Sequence, residues 1–273
     1  MHTGLRDDQL ARSLAAAAGL RLVALRETHV GPGSDYSDAA ALRKAADLQS
    51  HEFLAAELAS LRPADAVLSE EGADDRGRLS ASRVWIIDPL DGTREYGEPG
   101  RSDWAVHVAL WQDGQLTAGA VALPAAGVVL STAEPPQPRE DSGQVPLRIL
   151  VSRTRPPEFV QRLAGDLGAV LVPMGSAGAK AAAVMLGEAD AYVHAGGQYE
   201  WDSAAPVAVA QAAGLHASRI DGGPLRYNQA DPSVADILIC PNAIAQKLLG
   251  AIERSQYAGH RGRSAGSTAN HAH

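Results

Sequence analysis

Between residues 7 and 26, Leu and Ala recur at helical spacing with Arg and Asp between them, a pattern that predicts an amphipathic helix. A second helix is expected over 37–61, where Leu42, Ala46, Phe53 and Leu58 keep a rough helical period until Pro63 stops it. Between them, 31–35 (Gly-Pro-Gly-Ser-Asp) reads as a loop. The period then shortens to that of strands. Residues 66–69 form a short apolar run that delivers Glu70 and Glu71 at its carboxyl end, and a polar loop over 73–82 follows. Val84-Trp85-Ile86-Ile87 reads as a buried strand. Pro89 has no N–H to donate and is expected to end the ladder, leaving Asp88 and Asp91 on the outgoing turn. Residues 104–111 and 116–123 alternate as a hairpin about Asp113-Gly114, and 128–132 is a further strand.

Residues 134–146, rich in Pro, Asp, Ser and Gln, mark a lobe boundary. Beyond it, strands expected over 147–152, 170–173 and 191–194 alternate with helices over 157–167, 177–186 and 203–213, which argues α/β. The expected organisation is an N-terminal α+β lobe over 1–145, an α/β lobe over 146–257, and a disordered Gly/Ser/His/Ala-rich tail over 258–273.

At 273 residues the chain can build one large core or two closely packed lobes. With only 4% aromatics, that core must come mainly from Ala, Val and Leu. The net charge of −8 argues against a nucleic acid or a membrane surface as the main partner. It also means that an anionic substrate needs cations at its site. Cys240, the single cysteine, ends the apolar run that starts at Ile237 and reads as a buried strand thiol. No intrachain disulfide is available, the first residues lack a signal-peptide pattern, and no run approaches the ~18 apolar residues of a membrane span. A cytoplasmic setting is the expectation.

The chemistry concentrates in Asp88-Pro89-Leu90-Asp91-Gly92-Thr93. Two carboxylates three positions apart raise each other's pKa unless a cation neutralises them. Oxygen donors favour a hard divalent ion, Mg²⁺ above all. Gly92 and Thr93 then offer N–H groups at a helix start, where an anion can sit. Metal and anion together indicate phosphate chemistry. Two more acidic elements, Glu70-Glu71 and Asp202 in Trp201-Asp202-Ser203-Ala204-Ala205, also fall at element ends. Taken singly they read as a solvated turn and a helix N-cap. One metal site at the carboxyl edge of the sheets explains all three. His107 and His194 lie in apolar strand patterns and read as packed or hydrogen-bonded rather than as ligands.

These motifs resemble the lithium-sensitive, Mg²⁺-dependent phosphomonoesterases of the inositol monophosphatase and bisphosphate nucleotidase type. Asp88-Pro89-Leu90-Asp91-Gly92-Thr93 matches the first family signature and Trp201-Asp202-Ser203-Ala204-Ala205 the second; the resemblance spans roughly 40–230. It implies the layered αβαβα sandwich shared with fructose-1,6-bisphosphatase, and a homodimer. It further implies that Glu70, Asp88, Asp91, Asp202 and the Leu90 carbonyl bind two or three Mg²⁺ ions. Thr93 and Glu70 would orient a water, and Asp47 would support Thr93. Where the family has a threonine three residues before that aspartate, this chain has Lys44.

Arg94-Glu95-Tyr96 is similar to the basic-Glu-aromatic sequence of 3′-phosphoadenosine 5′-phosphate phosphatases, the CysQ-type branch. Gly175-Ser176-Ala177-Gly178-Ala179-Lys180 resembles their bisphosphate-binding element. The resemblance therefore implies Gly92, Thr93, Arg94, Ser176 and Lys180 as substrate contacts, with Arg101 a further candidate cation. Inositol 1-phosphate and fructose 1,6-bisphosphate are the alternative substrates. A haloacid-dehalogenase-type aspartyl phosphatase would place its two aspartates two apart rather than three. A purely regulatory binding protein has no physical reason to keep a repulsive acidic cluster.

Overall fold

The computed structural model describes residues 4–29, 39–137 and 146–264, with side chains described as far as Ser255. The 31–35 loop, residues 138–145 of the expected lobe boundary and the tail beyond 264 lie outside the described residues. Helices α1 (Asp7–His29) and α2 (Ala39–Leu61) precede a first sheet of β1 (Ala66–Ser69), β2 (Arg83–Asp91), β3 (Ala105–Gln112), β4 (Gln115–Leu123) and β5 (Val128–Ser131). The one-turn helix α3 (Thr93–Tyr96) follows β2. The sheet runs in sequence order, antiparallel except for the parallel pair β1–β2.

The second sheet is built from β6 (Arg148–Ser152), β7 (Val170–Met174), β8 (Ala191–Tyr199), β9 (His216–Ser218) and β10 (Ser233–Cys240), in the order β7-β6-β8-β10-β9. Its helices are α4 (Val160–Leu167), α5 (Ala177–Met185), α6 (Glu200–Ala212) and α7 (Asn242–Ser264).

Strand periodicity sorts the core into three. Trp85, Ile87, Val106, Val108 and Leu110 meet α1 and α2 on one face of the first sheet. Val84, Ile86, Ala105 and Ala109 point the other way, into a layer made of α5 and α6 that also receives Tyr192, Ile237 and Ile239 from the second sheet. Ile149, Val151, Val193 and Leu238 then face α4 and α7. The result is a five-layer αβαβα sandwich, as expected. The middle layer needs small side chains, because a helix between two sheets is apolar all round. Every residue of α5 is buried. At Gly119 on β4, an added Cβ would stand 2.6 Å from the Ala208 Cβ, so α6 approaches too closely for a side chain there.

Several boundaries differ from the pattern-based expectation. β2 does not stop at Pro89 but continues to Asp91, and its register against β3 slips between Asp88 and Asp91. A bulge takes up the residue that cannot donate. β8 runs on to Tyr199, and α6 starts at Glu200 rather than 203. The polar 73–82 loop contains a short 3-10 turn whose Arg78, 1% exposed, donates to Asp74 and Asn228. Helix α7 runs to Ser264, past the expected start of the tail at 258. Its earlier turns bury Leu248, Ala251 and Ile252, and a helix nucleated by such packing propagates at little further cost.

Candidate active site

Parallel pairing of β1 with β2 sets Ser69 opposite Ile87, and the Glu70 N–H donates to the Ile87 carbonyl at 3.4 Å. Glu70 thereby leaves its strand beside Asp88. In the bulge, the Leu90 N–H donates to Asp88 Oδ1 at 3.1 Å, and Ser50 Oγ donates to the Pro89 carbonyl at 2.7 Å. These bonds fix the carboxylates of Asp88 and Asp91 on one side of the strand end. Asp202 arrives from the first turn of α6, where Oδ2 accepts the Tyr199 N–H at 2.7 Å. It acts at the third helical position, not as the N-cap. Ligand atoms of Asp88, Asp91 and Asp202 all lie within 4.8 Å of one another.

So close a group repels itself. Asp88, 1% exposed, is pushed well above the carboxylate range by burial and then by Glu70 and Asp91. Asp202 is raised to about 6 by burial and Asp91. Glu70, whose residue is exposed while its carboxyl faces Asp88, Asp91 and Asp202, is raised to about 7 by desolvation and then Asp202. Buried oxygen donors that destabilise one another in this way fit a hard divalent cation, which would relieve the repulsion. Thr93 Oγ1 stands 3.0 Å from the Leu90 carbonyl and 3.3 Å from Asp47 Oδ1, within donating range of both. Burial, and then Glu71, raise Asp47 to about 7. Lys44 is exposed.

Asp91 behaves oppositely. Burial alone would raise it, but His107, Ser176 and Lys180 outweigh burial and hold it at about 2. Its carboxylate is gripped by the start of helix α5. Ser176 Oγ donates to Oδ2, the Ala177 N–H to Oδ1 at 3.1 Å, and the Gly178 N–H to Oδ2 at 2.6 Å. On the first sheet, His107 Nδ1 donates to the Trp201 carbonyl at 3.0 Å while Nε2 lies 3.3 Å from Asp91 Oδ2. Burial lowers the His107 pKa, yet the Asp91 carboxylate and that carbonyl leave it raised overall.

The model of the inositol monophosphatase family matches residues 7–257. The chain belongs to the inositol monophosphatase family. It is 51% identical over 259 residues to a 3′-phosphoadenosine 5′-phosphate phosphatase of Mycobacterium leprae, covering 91% of this chain and 94% of that one. A protein of the same name from Mycobacterium tuberculosis is 55% identical over 218 residues, covering 77% of this chain and 82% of the relative. Among solved structures, inositol monophosphatase-II from Staphylococcus aureus superposes with a TM-score of 0.75 at 23% identity, over 95% of this chain and 98% of that one. That last likeness establishes the fold.

Within this family member, a cavity of about 500 Å³ opens beside the carboxylates, lined by Asp91, Gly92, Thr93, Arg94 and Asp202. Ser176 and Lys180 also line it, but their polar atoms are already engaged. The Ser176 hydroxyl is on Asp91, and the Lys180 ammonium donates to the carbonyls of Met174, Gly175 and Ser176. Arg101 pairs with Asp103 and lies near Glu98 rather than offering a free cation.

Sequence reading missed Arg153, Arg155 and Gln198 in the cavity wall. The two arginines directly follow β6, and basic residues at a strand's carboxyl end were the available signal. Arg153 donates to Glu95 Oε1 at 2.7 Å and Glu98 Oε1 at 2.9 Å. His194 also lines the cavity; Nε2 donates to the Gly196 carbonyl at 2.7 Å, and burial lowers its pKa to about 4. Cys240 is buried, its thiol pushed up to about 12 by desolvation. No described helix is long and apolar enough to cross a membrane.

Proposed function

We propose that this protein is a phosphomonoesterase that hydrolyses 3′-phosphoadenosine 5′-phosphate to AMP and phosphate, and the corresponding phosphosulfate to adenosine 5′-phosphosulfate. The observation that carries this reading is 51% identity, over 94% of its length, to a relative bearing the name of that activity. Asp88, Asp91, Asp202, Glu70 and the Leu90 carbonyl are the groups that would hold two or three Mg²⁺ ions. When bound, such ions supply positive charge to the phosphate and acidify the attacking water.

The remaining work falls to the chain itself. Thr93 and Glu70 orient the water, and Asp47 supports the Thr93 hydroxyl from 3.3 Å. Gly92, held at φ 85°, turns β2 into α3 and sets its own N–H and that of Thr93 toward the phosphate oxygens. Because α3 is a single turn, those N–H groups act by hydrogen bonding and not through a long helix dipole. Exposed Arg94 adds positive charge at the cavity edge. No protein nucleophile is required. The two lobes, 1–145 and 146–257, each contribute one wall, the functional unit is a homodimer, and the setting is cytoplasmic.

The test is kcat/KM with Mg²⁺ for 3′-phosphoadenosine 5′-phosphate, inositol 1-phosphate and fructose 1,6-bisphosphate. The bisphosphate nucleotide is expected to lead. A tenfold preference for inositol 1-phosphate would overturn the branch assignment and leave the phosphatase chemistry standing.

A further inference from the structure

Arg78, 1% exposed, lies in the 3-10 turn of the polar loop that follows Glu70 and Glu71. Its guanidinium donates to the two Asp74 oxygens at 2.6 and 3.1 Å, to Asn228 Oδ1 at 2.8 Å and to the Gln229 carbonyl at 2.9 Å. Asn228 Nδ2 donates in return to the Arg78 carbonyl at 3.1 Å. Asn228 adopts φ 57°, a left-handed value that asparagine visits where its side chain is hydrogen-bonded. The turn so held presents the N–H groups of Asn228 and Gln229 to the two oxygens of Glu200, at 2.6 and 2.7 Å. Glu200, 0% exposed, opens α6 two residues before Asp202, and its own N–H donates to the Pro232 carbonyl at 2.8 Å. A chain of polar contacts thus runs from the loop behind Glu70 to the first turn of the helix that carries Asp202. Buried ionic groups are weak stabilisers on balance, because desolvation offsets much of their attraction. Their fixed geometry is what an apolar filling would not reproduce.

We propose that Arg78 is a positioning residue for the metal centre: acting through Asn228 and Glu200, it sets the first turn of α6, and with it Asp202, against the end of β1 where Glu70 leaves. The inference rests on the assignment of Glu70 and Asp202 as metal ligands. Arg78 bonds to neither carboxylate, so its removal should cost metal affinity less than the roughly 10–100-fold typical of a group bonded directly to a ligand.

The experiment compares the whole protein with Arg78→Met and Glu200→Gln, titrating Mn²⁺ without substrate and following its free-ion electron paramagnetic resonance signal. Arg78→Met removes the donors that hold the 228–229 turn, and Glu200→Gln keeps the shape while turning a donor toward a donor. Both variants are expected to weaken Mn²⁺ by roughly threefold or more at full stoichiometry. The Mg²⁺ needed for half-maximal hydrolysis should rise by the same factor, while kcat at saturating Mg²⁺ stays within about twofold. Arg219→Met is the control: it breaks the 2.6 Å pair with Asp236 on β10, outside this chain of contacts, and should lower the urea midpoint with Mn²⁺ affinity as in the parent. Parent-like Mn²⁺ affinity in Arg78→Met would overturn the inference, and so would equal weakening in all three variants, which is general loosening. If Arg78→Met does not fold, Glu200→Gln decides by the same criterion. Asp202→Asn tests the underlying assignment, and normal Mn²⁺ binding in that variant would instead sink the metal site itself.

Discussion

His107 Nδ1 donates to the Trp201 carbonyl at 3.0 Å, and this bond fastens the start of α6 to the strand that faces Asp88. One imidazole thus connects the element carrying Asp202 to the two aspartates of β2, since Nε2 also lies 3.3 Å from Asp91. The ring is fully buried, and an added Cβ on Gly178 would fall on Nε2. A side chain at 178 and an imidazole at 107 cannot coexist.

His107→Ala removes the hydrogen bond that joins β3 to the start of α6, a loss of about 0.5–1.5 kcal/mol. It also frees α6 to move relative to β2. Urea unfolding should show that loss together with a higher Mg²⁺ requirement for activity. Stability and Mg²⁺ dependence that both match the parent would refute the connecting role.

Asp91→Asn removes a charged group from the centre of the carboxylate cluster while keeping its shape. Turnover of 3′-phosphoadenosine 5′-phosphate is expected to fall by at least ~100-fold at ordinary Mg²⁺. Near-normal turnover would mean that the site lies elsewhere.

Stripping the metal should make stability pH-dependent in a defined direction. Glu70, Asp47 and Asp202 have folded-state pKa values raised from 4.5, 3.8 and 3.8 to about 7, 7 and 6. A raised pKa contributes stability that is present below the unfolded value and lost as pH climbs through the folded one. Between about pH 4 and 7 the metal-free protein therefore accumulates the cost of holding buried charged carboxylates, and after that their repulsion, which Mg²⁺ would offset at Glu70 and Asp202. His194 acts the other way, losing stability as pH falls from 6.5 toward about 4, but it does so with or without metal. The Mg²⁺-induced rise in the urea midpoint should accordingly grow from pH 5 to pH 8. A gain that is flat or shrinks with pH would contradict the cluster's electrostatics.

Arg153 ties the end of β6 to α3 through Glu95, a carboxylate 5% exposed. Arg153→Ala leaves that charge buried and unpaired. The cost should be roughly 2 kcal/mol, below that of a fully buried pair because the Arg153 side chain is 28% exposed. Adding Glu95→Gln should recover part of it. A double-mutant cycle by urea unfolding measures the coupling, and additive losses would show that the pair does not tie β6 to α3.

Each carboxylate of the cluster was legible because it falls at an element end that the local pattern marks. Asp88 and Asp91 flank one proline, Glu70 ends the neighbouring strand, and Asp202 opens a helix. Less visible was the bulge that carries β2 past Pro89, since proline by itself signals only a lost donor. Ser176 and Lys180 were found as residues, yet their partners depend on where α5 lands. Arg153 and Arg155 carried almost no pattern of their own.

The sequence by itself determined the order of helices and strands and marked the acidic residues, because both follow from short-range features, side-chain period and turn chemistry, while the layered sandwich was implied only by the family resemblance. Tertiary structure alone decided what each polar group touches. Helix α5 reaches from the second sheet to grip Asp91, α6 brings Asp202 under His107, and Lys180 turns inward to three carbonyls. The Asp91 and His107 contacts join residues 85 and 94 positions apart within one small volume, whereas those of Lys180 lie 4 to 6 positions away. No local periodicity encodes such meetings; they arise when two sheets close on a layer of small side chains, which lets helix ends approach strand ends at hydrogen-bond distance.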